Sequence, residues 1–136
     1  MSRYVAMIAL LVRDYDEAIA WYGKAMGFDL LEDDDRGGGK RWVRMAPAGN
    51  THFSVLLAKA IGERQQAAVG DQHGGRVGCF LHTDDFAGDH ARLTAMGARF
   101  EEAPRHEAYG TVAVCRDLYG NRWDLIEPGA DRPAAA

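Results

Sequence analysis

A chain of 136 residues, 47 % hydrophobic and 26 % charged, is long enough for one domain with its own core, and this mix argues against a disordered segment. The net charge of −4 and pI of about 5.7 argue against nucleic acid as the main partner, because phosphate binding needs clustered Lys and Arg and the arginines here are dispersed among acids. No apolar run is long enough to span a bilayer, and the run at residues 5–12 lacks the basic start and small-residue cleavage site of a secretory signal, so no membrane partner and a cytoplasmic location are expected.

Residues 5–12 predict a strand buried on both faces. Asp14, with Glu17 three residues later, predicts a helix N-cap. Tyr15, Ala18, Ile19, Tyr22 and Met26 recur at helical spacing and form one apolar face, and Gly27 suits the left-handed residue that ends a helix. Residues 28–32 predict a second strand, followed by the acidic run Asp33, Asp34 and Asp35, read as a solvated strand end. Gly37, Gly38 and Gly39 lack the Lys-Ser/Thr of a phosphate loop and read as a turn. Strands are predicted at 41–45 and 53–57 around a turn at 47–50, and a short helix at 63–69.

The order then repeats. Residues 77–81 predict a strand, and Asp84 or Asp85 caps a helix that carries Phe86, His90, Leu93 and Met96 and closes at Gly97. Strands are predicted at 99–103, 111–115 and 122–127, the last two joined by the turn signature Asp117-Leu118-Tyr119-Gly120-Asn121. Ala25-Met26-Gly27 recurs as Ala95-Met96-Gly97, Val12-Arg13-Asp14 is answered by His82-Thr83-Asp84, and Gly49-Asn50 by Gly120-Asn121. The expected fold is therefore α+β: two paired βαβββ modules forming a curved, cup-shaped mixed sheet. Module one covers about residues 4–60, a linker 61–75 and module two 76–128, with a frayed tail at 129–136. An apolar cup with a few polar groups is where a small molecule binds. Cys79 and Cys115 lie in apolar segments without C-x-x-C spacing and read as reduced core thiols.

The stretch Val12-Arg13-Asp14-Tyr15-Asp16-Glu17-Ala18-Ile19-Ala20-Trp21-Tyr22, followed by Met26-Gly27-Phe28, resembles the opening of glyoxalase / bleomycin resistance / dioxygenase (vicinal oxygen chelate) proteins. Asp117-Leu118-Tyr119-Gly120-Asn121-Arg122-Trp123-Asp124-Leu125 resembles their closing hairpin, and the likeness runs over residues 4–128. The resemblance implies paired modules, often a homodimer, and in many members a divalent metal in the cup. Glyoxalase, extradiol dioxygenase, epimerase and fosfomycin-modifying activities are known among them. Bleomycin resistance proteins use the same cup to bind a drug without metal catalysis, so the fold leaves the chemistry open.

The resemblance places the four metal-ligand positions on Met7, on Ser54 or its neighbour Phe53, on Gly78 and on Asp124. A thioether is a poor donor for the metals concerned and glycine has no side chain, so Asp124 alone is suited to coordinate and no cofactor is expected. By strand alternation, His52 shares the face of Ser54 and His82 that of Gly78. A displaced set of His52, His82 and Asp124 would give the alternative, a divalent-metal-dependent lyase or dioxygenase; the plainer reading makes both histidines polar strand-end residues. His73 and His106 read as solvated, and His90 as a helix residue that packs or faces water. Arg122 shares the parity of Asp124. It either binds a carboxylate or phosphate through its planar fork or pairs with Asp124 or another acid. Tyr109 either meets a ligand or packs on the rim. The expected function is binding of a small organic molecule, with Ser54, His52, His82, Tyr109, Arg122 and Asp124 as candidate contacts; a drug-sequestering resistance protein is a further alternative. Whether any reaction is catalysed is left open by these residues.

Overall fold

In the computed structural model, which describes residues 2–49 and 52–129, the first apolar run forms β1 (Met7–Val12). The Asp14 carboxylate accepts the Glu17 N–H at 2.8 Å and starts α1 (Tyr15–Met26). Gly27 ends it at φ 67°, ψ 31°, and its N–H donates back to the Tyr22 carbonyl. β2 (Phe28–Gly37), β3 (Lys40–Pro47), β4 (Ser54–Lys59) and the short α2 (Gly62–Ala68) complete the first of two compact units, residues 1–72. Its sheet runs β1-β4-β3-β2, with β1 and β4 parallel and the other pairs antiparallel. Leu10, Val12, Val43, Met45 and Leu57 share one sheet face by register, and they are buried together with Ala18, Trp21, Tyr22, Ala25 and Met26 of α1. Each fully buried aliphatic side chain contributes about 1.5–3 kcal/mol. The other face carries Met7, Ser54 and Arg44.

The second unit, residues 73–136, contains β5 (Cys79–His82), α3 (Phe86–Ala95), β6 (Arg99–Phe100), β7 (Arg105–Glu107), β8 (Gly110–Arg116) and β9 (Arg122–Pro128). Here β5 lies parallel to β9, β9 antiparallel to β8, and β6 and β7 both pair with β8. Asp85, not Asp84, caps α3, its carboxylate accepting the Gly88 N–H at 3.1 Å. The described residues thus form an α+β fold of three helices and nine strands in two mixed sheets, the expected fold class. No helix among them is long and apolar enough to cross a membrane.

Several boundaries differ from expectation for identifiable reasons. β2 continues through the acidic run to Gly37 because β3 supplies cations: Arg41 pairs with Asp33 at 2.7 Å and Asp16 at 3.0 Å. Asp33 is therefore ion-paired within a strand, and these contacts hold its carboxyl below the usual carboxylate range. The strand expected at 99–103 stops at Phe100, and a further strand that was not expected, β7, follows at Arg105–Glu107. Pro104 has no N–H to donate to a ladder, and the Glu102 carboxylate accepts the Val114 N–H at 3.3 Å where the ladder is interrupted. His106, expected in a loop, lies in β7 with Nδ1 3.2 Å from Thr111 Oγ1. His90 packs, its ring stacked on Phe100 at 3.9 Å. Asn50 of the predicted 47–50 turn and residues 130–136 of the predicted tail lie outside the described residues.

Candidate functional site

In unit one, Met7 and Ser54 are direct partners across the parallel β1–β4 pair, which fixes the register left open by the sequence: Ser54, not Phe53, shares the Met7 face. Ser54 is 2 % exposed. Its Oγ accepts from Arg44 Nη1 at 3.1 Å, and Arg44 is also ion-paired to Glu32. The hydroxyl is thereby committed to an internal network. His52 lies exposed just before β4. A depression of about 370 Å³ at the β2–β3 hairpin is lined by Asp33, Asp35, Gly37, Gly38, Gly39 and Arg41, apart from every candidate contact. Two of its charged walls, Asp33 and Arg41, already neutralise one another.

In unit two, the turn between β8 and β9 aims the candidate residues. Asp117 is buried, and its Oδ1 accepts the N–H groups of Tyr119, Gly120 and Asn121 at 2.9–3.1 Å, while Oδ2 accepts Trp123 Nε1 at 2.9 Å. A fixed turn fixes the start of β9. Register then places Asp124 beside Phe80 of β5 on one side and Val114 of β8 on the other, all on one face, with Arg122 and His82 on that face too.

Arg122 is engaged within its own unit. Its Nη2 pairs with Glu101 at 2.8 Å and its Nη1 donates to the Gly75 carbonyl at 2.9 Å. The internal-pair alternative is the one realised, with Glu101 rather than Asp124 as partner. Burial opposes ionisation of Glu101, but hydrogen bonds from Arg122 and Arg116 hold its carboxyl below the usual range. Asp124 is half-buried, and its Oδ1 is shielded from solvent without a hydrogen-bond donor. Burial raises its pKa; Arg105 and Arg122 act in the opposite sense and Glu102 adds to the rise. His82 is exposed at the end of β5 opposite Ile126, and Tyr109 is 43 % exposed at the β7–β8 turn.

His73, expected to be solvated, has a structural place. Gly78 donates its N–H to the Arg122 carbonyl, extending the β5–β9 ladder, and a Cβ at Gly78 would stand 2.2 Å from the His73 ring. Gly78 does not have a positive φ; the ring, not the backbone, requires glycine there. The imidazole thus fills the space that a side chain at residue 78 would take. No sequence pattern signals this, because it depends on how residues 73–77 curl back onto β5. Cys79 and Cys115 are both buried, and burial pushes their thiols up to about 11 and about 12, as inert core groups.

The donor chemistry does not suit the divalent metal of the related metalloenzymes. Unit one offers a thioether and an Arg-bound hydroxyl at its two positions, and unit two offers Asp124 and, through His73, one imidazole near Gly78. Among the described residues no three His, Cys, Asp or Glu side chains converge as a metal-holding group.

The chain belongs to the Glyoxalase/Bleomycin resistance protein/Dioxygenase superfamily, whose sequence profile matches residues 4–125. An uncharacterized protein of Shewanella frigidimarina (strain NCIMB 400) is 46 % identical over 134 residues, 98 % of this chain and 99 % of its own length. Among solved structures, UcmS2 superposes with a TM-score of 0.77 at 27 % identity, over 93 % of this chain and 99 % of its own. TnmS3, an antibiotic binding protein from Streptomyces sp. CB03234, does so with a TM-score of 0.75 at 30 % identity, over 94 % and 98 %.

Proposed function

We propose that this protein binds and sequesters a small organic molecule of antibiotic type, without a metal ion. The observation that carries the reading is the 30 % identity, over nearly the whole of both chains, to an antibiotic binding protein. The residues at the family's ligand positions support it: Ser54 is used structurally by Arg44, Gly78 carries no donor, and Asp124 keeps an unpartnered carboxylate oxygen. Asp124, Tyr109 and His82 are the proposed contacts on unit two, and His52 is a separate candidate on unit one. Ser54 and Arg122 are proposed to shape the site through their internal pairs. A cytoplasmic homodimer is proposed with it, β5 being an edge strand whose outer side no strand covers among the described residues and so suited to assembly; sedimentation as a monomer at micromolar concentration would contradict the dimer.

The test is a thermal-shift screen of a panel of antibiotics, bleomycin included, in chelator-treated buffer. A ligand at a hundred times its Kd stabilises by about 2.7 kcal/mol, so a clear rise in Tm is expected for at least one compound. If a compound stabilises the protein only after Zn, Ni, Fe or Mn is restored, the metal-dependent lyase or dioxygenase replaces this reading.

A further inference from the structure

Phe80 and Asp124 form an arrangement that the binding reading above does not explain. They are direct partners in the parallel β5–β9 ladder, so their side chains leave the sheet on the same face from strands about 5 Å apart. Phe80 is 60 % exposed, a large aromatic surface left uncovered beside a carboxylate. The Asp124 Oδ1 is shielded from water and receives no hydrogen bond. Buried polar atoms in folded proteins are nearly always satisfied, and an exception calls for an explanation.

The neighbouring charges do not supply the missing donor. Arg105 is held by Glu102 at 3.0 Å and Glu107 at 3.1 Å, and Arg122 by Glu101 and the Gly75 carbonyl. Both guanidinium groups are therefore paired with other acceptors, and neither donates to Oδ1. What is left on this face is one desolvated acceptor next to one aromatic ring. An anionic ligand would meet the Asp124 carboxylate, while the neighbouring cations are already paired with Glu101, Glu102 and Glu107. An ammonium or guanidinium group would pair with the Asp124 carboxylate, whose charge no donor at Oδ1 offsets, and place its own charge against the negative face of the Phe80 ring.

Resting on the small-molecule reading, we infer that the ligand is an organic cation, an amine or guanidine, whose charged nitrogen donates to Asp124 while its apolar body lies on Phe80. The His73 ring takes the side-chain place of Gly78, two residues before Phe80, and would limit how far the ligand's body extends along β5.

The test uses three probes of one shape: benzylammonium, benzyl alcohol and benzoate, titrated at neutral pH into the full-length, isotopically labelled protein and followed by NMR. Benzylammonium is expected to move the Phe80 and Asp124 resonances and to bind at least tenfold more tightly than benzyl alcohol. Asp124→Asn should weaken it about tenfold and Phe80→Leu about threefold, with the spectra otherwise those of the folded protein. Equal binding of benzyl alcohol or benzoate, an unchanged affinity in Asp124→Asn, or no shift with benzylammonium would each overturn the cation assignment. If benzyl alcohol or benzoate moves these two resonances and benzylammonium does not, the small-molecule reading stands and only the ligand class falls. If no probe moves them and the antibiotic screen is also silent, both fall.

Discussion

Ser54 and Asp124 each lie on the strand that runs parallel to its unit's first strand, yet their surroundings are opposite. Ser54 is buried and satisfied by Arg44, itself tied to Glu32. Asp124 keeps an oxygen that no donor reaches. Unit one has made Ser54 part of its own framework, while unit two leaves a carboxylate oxygen of Asp124 without a donor at some cost in stability. Unsatisfied groups of this kind gather where a protein does something besides fold.

The largest effect that would sharpen this contrast is at Asp117, which holds the turn that sets β9 and so the position of Asp124. Asp117→Ala removes the acceptor of several buried N–H groups and should cost about 3 kcal/mol or more in urea unfolding. A loss under about 1 kcal/mol would mean that the turn does not depend on this carboxylate. Next comes Gly78→Ala. The added Cβ cannot share space with the His73 ring, so the ring must leave its seat, at about 1–3 kcal/mol. Altered His73 ring resonances with an otherwise conserved spectrum are expected; unaltered ones would show that the ring does not rest there.

The smallest effects compare the two positions directly. Ser54→Ala should cost about 0.5–1.5 kcal/mol, the worth of its hydrogen bond with Arg44. Asp124→Asn should instead stabilise the folded chain at neutral pH. Burial raises the folded pKa of Asp124 above 3.8, so the folded state holds this proton more tightly than the unfolded state does. The Asp124 contribution therefore favours folding most at low pH, declines as pH rises from about 3.8 through the raised value, and is flat above it. The variant should lack that decline. Tm measured from acid to neutral pH would reveal it, and parallel curves for the two proteins would contradict the unsatisfied state of Asp124.

Much of the fold was legible because it is written locally. Asp14, Gly27 and the Asp84-Asp85 pair mark helix ends by side chains and backbone angles that act within a few residues. The turn from Asp117 to Asn121 and the shared parity of Arg122 and Asp124 are local in the same sense. What was missed depends on distant partners. The acidic run of β2 becomes strand through Arg41 of β3, and the fate of Arg122 is set by Glu101, 21 residues earlier. Pro104 was visible, but whether the chain would return to β8 after it was not. Phe80 read as one more apolar strand residue; only register and exposure reveal it as the uncovered neighbour of Asp124.

The central claim is that this protein binds its ligand through side chains and not through a metal. Its most direct test is to titrate the tightest compound from the antibiotic panel into protein stripped with excess EDTA, and again after adding Zn, Ni, Fe or Mn. The account predicts the same affinity in every case and a weaker one for Asp124→Asn throughout. Binding lost in EDTA and restored by one of these metals would contradict it.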